Sequence, residues 1–166
     1  MKIAGKKATS LSEGKGVNYV LFTQGCDVHC KECQNPSTWD LNGGKELSLD
    51  NIKADIESYV PPVNGLTFCG GEPSLQMSEV NSLNLWAKQK GLKTTLYTGH
   101  KLSELLDRKM LTFDNPFDYV IDGAFECDKK ERIAFRGSTN QNIYKFINGK
   151  YHRIEIDNTG VENVIW

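Results

Sequence analysis

At 166 residues, 39% hydrophobic and 25% charged, the chain has the size and composition of one globular domain, residues 1–166, that buries its own core. A formal net charge of -1 with no block of lysines and arginines argues against a nucleic-acid phosphate footprint, and no apolar stretch approaches the roughly 20 residues of a membrane span. Five cysteines in a chain of this length, after a start (MKIAGKKATS) with no apolar signal core, argue against a disulfide scaffold and for reduced thiols in a cytoplasmic setting.

In chain order, GVNYVLFT (16–23) reads as the first strand, rich in β-branched and aromatic residues. A loop dense in cysteine follows, GCDVHCKECQNP (25–36). Leu49, Ile52, Ile56 and Tyr59 then recur at helical spacing, with Ser48 as the cap and Pro61 and Pro62 as the stop. GLTFC (65–69) is the second strand and GGEP (70–73) its loop. Val80, Leu83 and Ala87 mark a second helix that Gly91 ends. KTTLYT (93–98) is the third strand, Leu102, Leu105 and Leu106 mark a short third helix, and FDYVID (117–122) is the fourth strand. The tail differs: in NIYKFINGKYHRIEI, Asn148 and Gly149 separate two alternating runs, the signature of a β-hairpin.

Strands alternating with helices predict βαβ units, because a parallel return needs a crossover long enough to hold a helix. The expectation is an α/β fold with a mostly parallel sheet and a C-terminal β-hairpin. In such sheets ligands bind at the carboxyl ends of the strands. The loops after the four strands carry the distinctive residues: TQGCDVHCKEC, GGEP, TGH and DGAF.

Cys26, Cys30 and Cys33 form CxxxCxxC, while Cys69 and Cys127 lie far off. A 4Fe-4S cube is held by cysteine thiolates and normally uses four. Three leave one iron open, and an open position distinguishes a catalytic metal site from a closed structural one. Two other readings stand beside this one: zinc held by the three cysteines with His29 or a distant cysteine as fourth ligand, and a structural cluster completed by Cys69 or Cys127.

The cysteine motif after the first strand, with GGEP after the second, resembles the radical S-adenosylmethionine (SAM) enzymes. Phe22 to Gln141, through FTQGCDVHCKECQNPSTW, TFCGGEPSLQ, LYTGH, YVIDGAFE and FRGSTNQ, is similar to the activating proteins of anaerobic ribonucleotide reductases. The resemblance implies a partial TIM-like (β/α) barrel, since a full eight-stranded barrel takes about 250 residues. It implies a 4Fe-4S cluster on Cys26, Cys30 and Cys33, with SAM on the open iron. It also implies a protein substrate, one glycine in a loop of the large reductase subunit, and an electron donor such as a flavodoxin. Alternatives are another glycyl-radical protein or a small molecule as substrate, or a non-enzymatic iron-sulfur carrier or zinc-stabilised module.

The resemblance implies SAM contacts from Gly70, Gly71, Glu72 and Pro73, with Glu72 offering a carboxylate to the methionine ammonium; the plainer reading is a strand-to-helix turn whose glutamate caps the next helix. Glu32 stands where many relatives carry an aromatic residue, which leaves backbone contacts from Glu32, Cys33 and Gln34. Ala124 replaces a proline of the family. Thr98, with Gly99, could hold a ribose or carboxylate or be an ordinary turn; Asp122 could meet SAM or cap a neighbouring element. Arg136, Ser138, Asn140 and Gln141 could bind SAM or grip the partner. Trp39 is expected against the cluster loop, and His29, His100 and His152 form no ligand-spaced set.

Overall fold

A computed structural model describes residues 1–131 and 135–165. Nine strands form one sheet: β1 (Lys2–Ser10), β2 (Asn18–Thr23), β3 (Lys45–Glu46), β4 (Gly65–Gly70), β5 (Lys93–Thr98), β6 (Tyr119–Asp122), β7 (Asn142–Ile147), β8 (Lys150–Ile156) and β9 (Glu162–Val164). Their spatial order is β3-β1-β2-β4-β5-β6-β7-β8-β9. Three helices, α1 (Leu49–Glu57), α2 (Met77–Gln89) and α3 (Leu102–Asp107), follow β3, β4 and β5.

The fold is mixed α/β, but the expectation of a mostly parallel sheet is corrected. Only β2, β4, β5 and β6 pair in parallel. The five flanking pairings are antiparallel, β1 with β2 and with β3 on one side, β6 through β9 on the other. A helical crossover joins each pair of the four central strands, whereas the flanks connect by turns and loops. Among the described residues the two outermost strands, β3 and β9, do not pair with each other, and the sheet is open between them.

Local chemistry explains the elements. The Ser48 side chain accepts a hydrogen bond from the Asn51 amide at the start of α1. α2 ends in a Schellman arrangement: Gly91, at φ 76°, donates to the Lys88 carbonyl and Leu92 donates to that of Ala87. In the β7–β8 hairpin Ile147 pairs with Lys150, and Asn148 and Gly149 both have positive φ, as a two-residue type I′ turn requires.

Alternate residues of the central strands divide the molecule into two faces. Leu21, Leu66, Phe68, Leu96 and Val120 join Ile52, Ile56, Val80, Leu83 and Leu105 in the helix-side core. Tyr119, Ile121, Ile143 and Ile154 form a smaller cluster on the other face. The β1–β2 connection crosses that second face. Thr67 Oγ1 donates to the Glu13 carbonyl at 2.7 Å, and a Cβ on Gly14 would stand 3.0 Å from the hydroxyls of Thr67 and Thr95. Residues 11–17 thus floor the space into which the strand-end loops project.

Candidate metal and cofactor site

The cysteine loop leaves β2 and returns to it. Gly25 donates to the Thr38 carbonyl at 2.7 Å, Cys26 donates to that of Trp39 at 3.2 Å, and the buried Gln24 amide donates to Asp40 O at 2.7 Å. A 3-10 turn over Pro36–Thr38 makes the return. His29 and Glu32, each immediately before a cysteine, have left-handed backbones at φ 50° and 54°. Non-glycine residues adopt that region at a cost, and such positions cluster where a loop must aim particular side chains.

The GGEP loop is stitched directly onto it. Gly71 donates to the Thr23 carbonyl at 2.9 Å and Glu72 to that of Gly25 at 2.7 Å. A Cβ on Gly70 would lie 2.6 Å from the Phe22 Cα, and one on Gly71 would overlap the Gly25 carbonyl oxygen. Both glycines therefore serve backbone-to-backbone packing between two site loops, a role beyond the expected approach to a ligand.

Cys26, Cys30 and Cys33 line one cavity of about 480 Å³ together with Gly70, Gly71 and Glu72. Backbone amides face the sulfurs: Asn35 donates to Cys33 Sγ at 3.3 Å, Val28 and His29 lie against Cys26, and Phe125 lies against Cys30. Burial pushes the Cys26 and Cys30 thiols up, and these amides work against it by favouring the thiolate. Cys30 also feels the charges of Cys33 and Cys26, so the three sulfurs share one neighbourhood. Among the described residues no three or more His, Cys, Asp or Glu side chains group as ligands of a single ion. Each thiolate on a cube binds a different iron, and three thiols from one loop with backbone amides aimed at them fit that donor set.

The three alternative fourth ligands have other neighbours. The His29 ring lies against that of Trp39, tilted by 31° with centroids 4.7 Å apart. Cys69 lines the same cavity, but its charged neighbours are Glu13 and Lys7, and burial pushes its thiol far up. Cys127 lies outside the lining and its thiol faces Asp128.

Glu72, 1% exposed, accepts from Ser74 N at 3.0 Å, Thr98 Oγ1 at 2.9 Å and Gly99 N at 2.7 Å. The capping reading is thus present in the structure: Glu72 caps the turn Pro73–Gln76, with Pro73 in its first position. The same carboxylate also lines the cavity beside Cys26, which is compatible with its receiving an ammonium. Thr98 and Gly99 line it as well, as does Gln34, whereas Glu32 does not.

The remaining expected residues separate. Asp122 faces away from the main cavity: it accepts from Leu102 N, at the start of α3, and from Asn142 Nδ2, both at 2.8 Å. The RGSTNQ segment bonds to the DGAF loop. Gln141 Nε2 donates to Gly123 O at 2.7 Å, Asn140 Nδ2 donates to Ala124 O at 2.8 Å, and Ser138 Oγ accepts from Glu126 N at 3.1 Å. Gln141 Oε1 also accepts from Gly137 N and Ser138 N. Of this segment Arg136, Gly137 and Gln141 reach the cavity, with Arg136 paired to Glu131 and Glu155. Sequence reasoning missed the far end of the cavity, where Ser12, Glu13 and Tyr97 line the wall. The trace of that feature in the sequence is the glycine pair of SEGKG, Gly14 and Gly16, which both take positive φ in the structure.

A mixed α/β sheet presenting three thiols and a buried carboxylate at the ends of its parallel strands defines a protein built to hold an iron-sulfur cluster. The family of the 4Fe-4S single cluster domain matches residues 12–144. The anaerobic ribonucleoside-triphosphate reductase-activating protein of Enterobacteria phage T4 is 30% identical over 142 residues, covering 82% of this chain and 88% of that one. The pyruvate formate-lyase-activating enzyme of Staphylococcus epidermidis is 31% identical over 142 residues, covering 81% of this chain but 57% of its own, so the chain spans little more than half of that relative. The solved structure of QueE from Escherichia coli overlaps 59% of this chain and 51% of its own with a TM-score of 0.44 at 20% identity, too loose a likeness to bear on the fold. The chain belongs to the 4Fe-4S single cluster domain family, within the radical SAM activating enzymes.

Proposed function

We propose that the chain, as a single domain, activates an anaerobic ribonucleotide reductase by abstracting a hydrogen atom from one glycine of its large subunit. The observation that carries this reading is the set of three thiols from one loop sharing a cavity with a buried glutamate, while Cys69 on the same wall has Glu13 and Lys7 as its charged neighbours. The 30% identity with the phage activase supports the choice of reductase. When bound, a 4Fe-4S cluster supplies the electron for reductive cleavage of SAM into methionine and a 5'-deoxyadenosyl radical.

The protein's own groups position and exclude. Cys26, Cys30 and Cys33 hold the cluster, and the backbone amides beside them stabilise the thiolates. Glu72, fixed by Ser74, Thr98 and Gly99, would offer its carboxylate to the ammonium of methionine. Gly70, Gly71, Gln34 and Thr98 shape the surrounding wall and Cys33 adds a backbone contact, while Pro73, outside the lining, acts through the turn that Glu72 caps. Arg136 and Gln141 border the substrate end, while Ser138, Asn140 and Asp122 act through loop and helix positions rather than on the nucleotide. We read the open sheet as an incomplete barrel whose unpaired side admits the glycine loop, so that the partner completes the exclusion of water. The electron donor is a low-potential carrier such as a flavodoxin, and the setting is cytoplasmic.

Anaerobic incubation of the reconstituted protein with the reductase, SAM and a reductant tests this. Electron paramagnetic resonance should show a glycyl doublet, with 5'-deoxyadenosine formed in step. SAM cleavage without that doublet, but with a doublet on another glycyl-radical protein, would reassign the substrate.

A further inference from the structure

A second cavity, of about 650 Å³, lies on the helix side of the sheet between α3 and the β7–β8 hairpin. It exists because of topology. An α-helix follows each of β3, β4 and β5, but among the described residues β6 passes to β7 with only the short 3-10 turn Cys127–Lys129, and the helix-side face of the hairpin is left partly bare. That face carries Tyr144, Phe146 and Tyr151, since Phe146 pairs with Tyr151 and Tyr144 pairs with Val120 of the helix-side core. Phe113 leans over it, 6.3 Å from Phe146 and 6.2 Å from Tyr151 between ring centroids, yet is 56% exposed. Its exposed charged lining consists of two lysines, Lys150 and Lys101; Lys101 stands 3.9 Å from the buried Asp122 carboxylate, which is bonded to Leu102 and Asn142.

The groove also adjoins the main cavity. A Cβ on Gly123, which lines the main cavity, would stand 2.9 Å from the Lys101 ammonium, and Lys101 lines the groove. A protein that inserts a loop into the first cavity therefore has this aromatic groove within reach across Lys101.

We propose that the groove docks an acidic amphipathic helix of the reductase, seated where a crossover helix after β6 would lie. Its apolar side rests on Phe113, Tyr144 and Tyr151, and its carboxylates meet Lys101 and Lys150. Aromatic anchors with a charged rim are the usual composition of such contacts. The assignment rests on the reading of the chain as a reductase activase, and it adds to that reading a recognition site away from the reacting glycine.

The test compares two substrates of the reconstituted holoenzyme: intact reductase, and a short synthetic peptide bearing its glycine, which cannot span both cavities. Phe113→Asp and Lys150→Glu, both at exposed positions, are expected to weaken binding of intact reductase about tenfold each. KM for intact reductase should rise while kcat and all peptide kinetics stay unchanged. Unchanged affinity for intact reductase, or equal losses with peptide and reductase, overturns the proposal. So does a wild-type dimer in sedimentation that Phe113→Asp dissolves, since a second copy would then own the groove. A wild-type protein that cleaves SAM but neither binds nor activates the reductase overturns the functional reading itself, an outcome distinct from an active wild type with insensitive variants.

Discussion

The cysteine loop and the RGSTNQ segment are both rich in polar residues, and the structure uses them in opposite ways. In the first, main-chain bonds from Gly25 to Thr38, Cys26 to Trp39 and Glu72 to Gly25, with the Gln24 side chain on Asp40, hold the loop, and the three cysteines line the cavity. In the second, side chains do the holding: Asn140 and Gln141 are bonded to the backbone of the DGAF loop and Ser138 to that of the following Glu126. A buried polar group must have a partner, and whether it is backbone or ligand decides if a motif is scaffold or site. Substituting one loop should abolish chemistry at little cost to the fold; substituting the other should do the reverse.

The largest expected effect is on the cluster. Cys26→Ala, Cys30→Ala or Cys33→Ala should each reduce iron from about four per chain to near none, while Cys127→Ala retains it; iron and sulfide analysis after anaerobic reconstitution checks this. Next, Glu72→Gln keeps the size of the side chain but removes its charge, and SAM affinity should fall about tenfold or more by equilibrium dialysis. On the scaffold side, Gln141→Leu leaves the amides of Gly137 and Ser138 and the Gly123 carbonyl without their partner. Denaturant unfolding of the metal-free protein should show a loss of about 2–4 kcal/mol, against under about 1 kcal/mol for Cys30→Ser.

A smaller effect lies far from both loops. Burial alone would raise the Glu162 carboxyl, but hydrogen bonds from Lys145, Lys15 and Tyr119 outweigh it and hold it at about 2, against an ordinary 4.5. A depressed carboxylate stabilises the fold above its unfolded pKa and loses that contribution as pH falls through the folded value. Glu162→Gln should therefore cost about 1–2 kcal/mol at neutral pH. The gap between variant and wild type should close as pH falls from about 4.5 toward 2. The smallest change is expected at the hairpin: Asn148→Ala, at φ 50°, should cost about 1 kcal/mol in thermal unfolding.

The parallel centre was legible because its strands are continuous β-branched and aromatic runs separated by capped helices. β5 falls on Lys93–Thr98 as the sequence predicts, and Ser48, Gly91 and Asn148-Gly149 occupy their expected cap and turn positions. β1 escaped because Lys2, Lys6 and Lys7 interrupt any apolar pattern and Gly5 weakens strand propensity. The antiparallel flanks, and with them the sheet's true balance, escaped for that reason and because β3 and β9 span only two and three residues. In the site, cysteine spacing and GGEP were readable because ligand chemistry restricts residue type. Glu13 was not, since it reaches the cavity only through the fold of the β1–β2 connection across the sheet. Asp122 read as a site residue because it ends a parallel strand, but its side chain turns toward α3.

The most direct test is Mössbauer spectroscopy of protein reconstituted with iron-57, before and after SAM. One of four iron sites should change its isomer shift when SAM binds, while the three cysteine-bound sites stay fixed. Four equivalent sites that ignore SAM, or a preparation whose bound metal is zinc, would contradict the account.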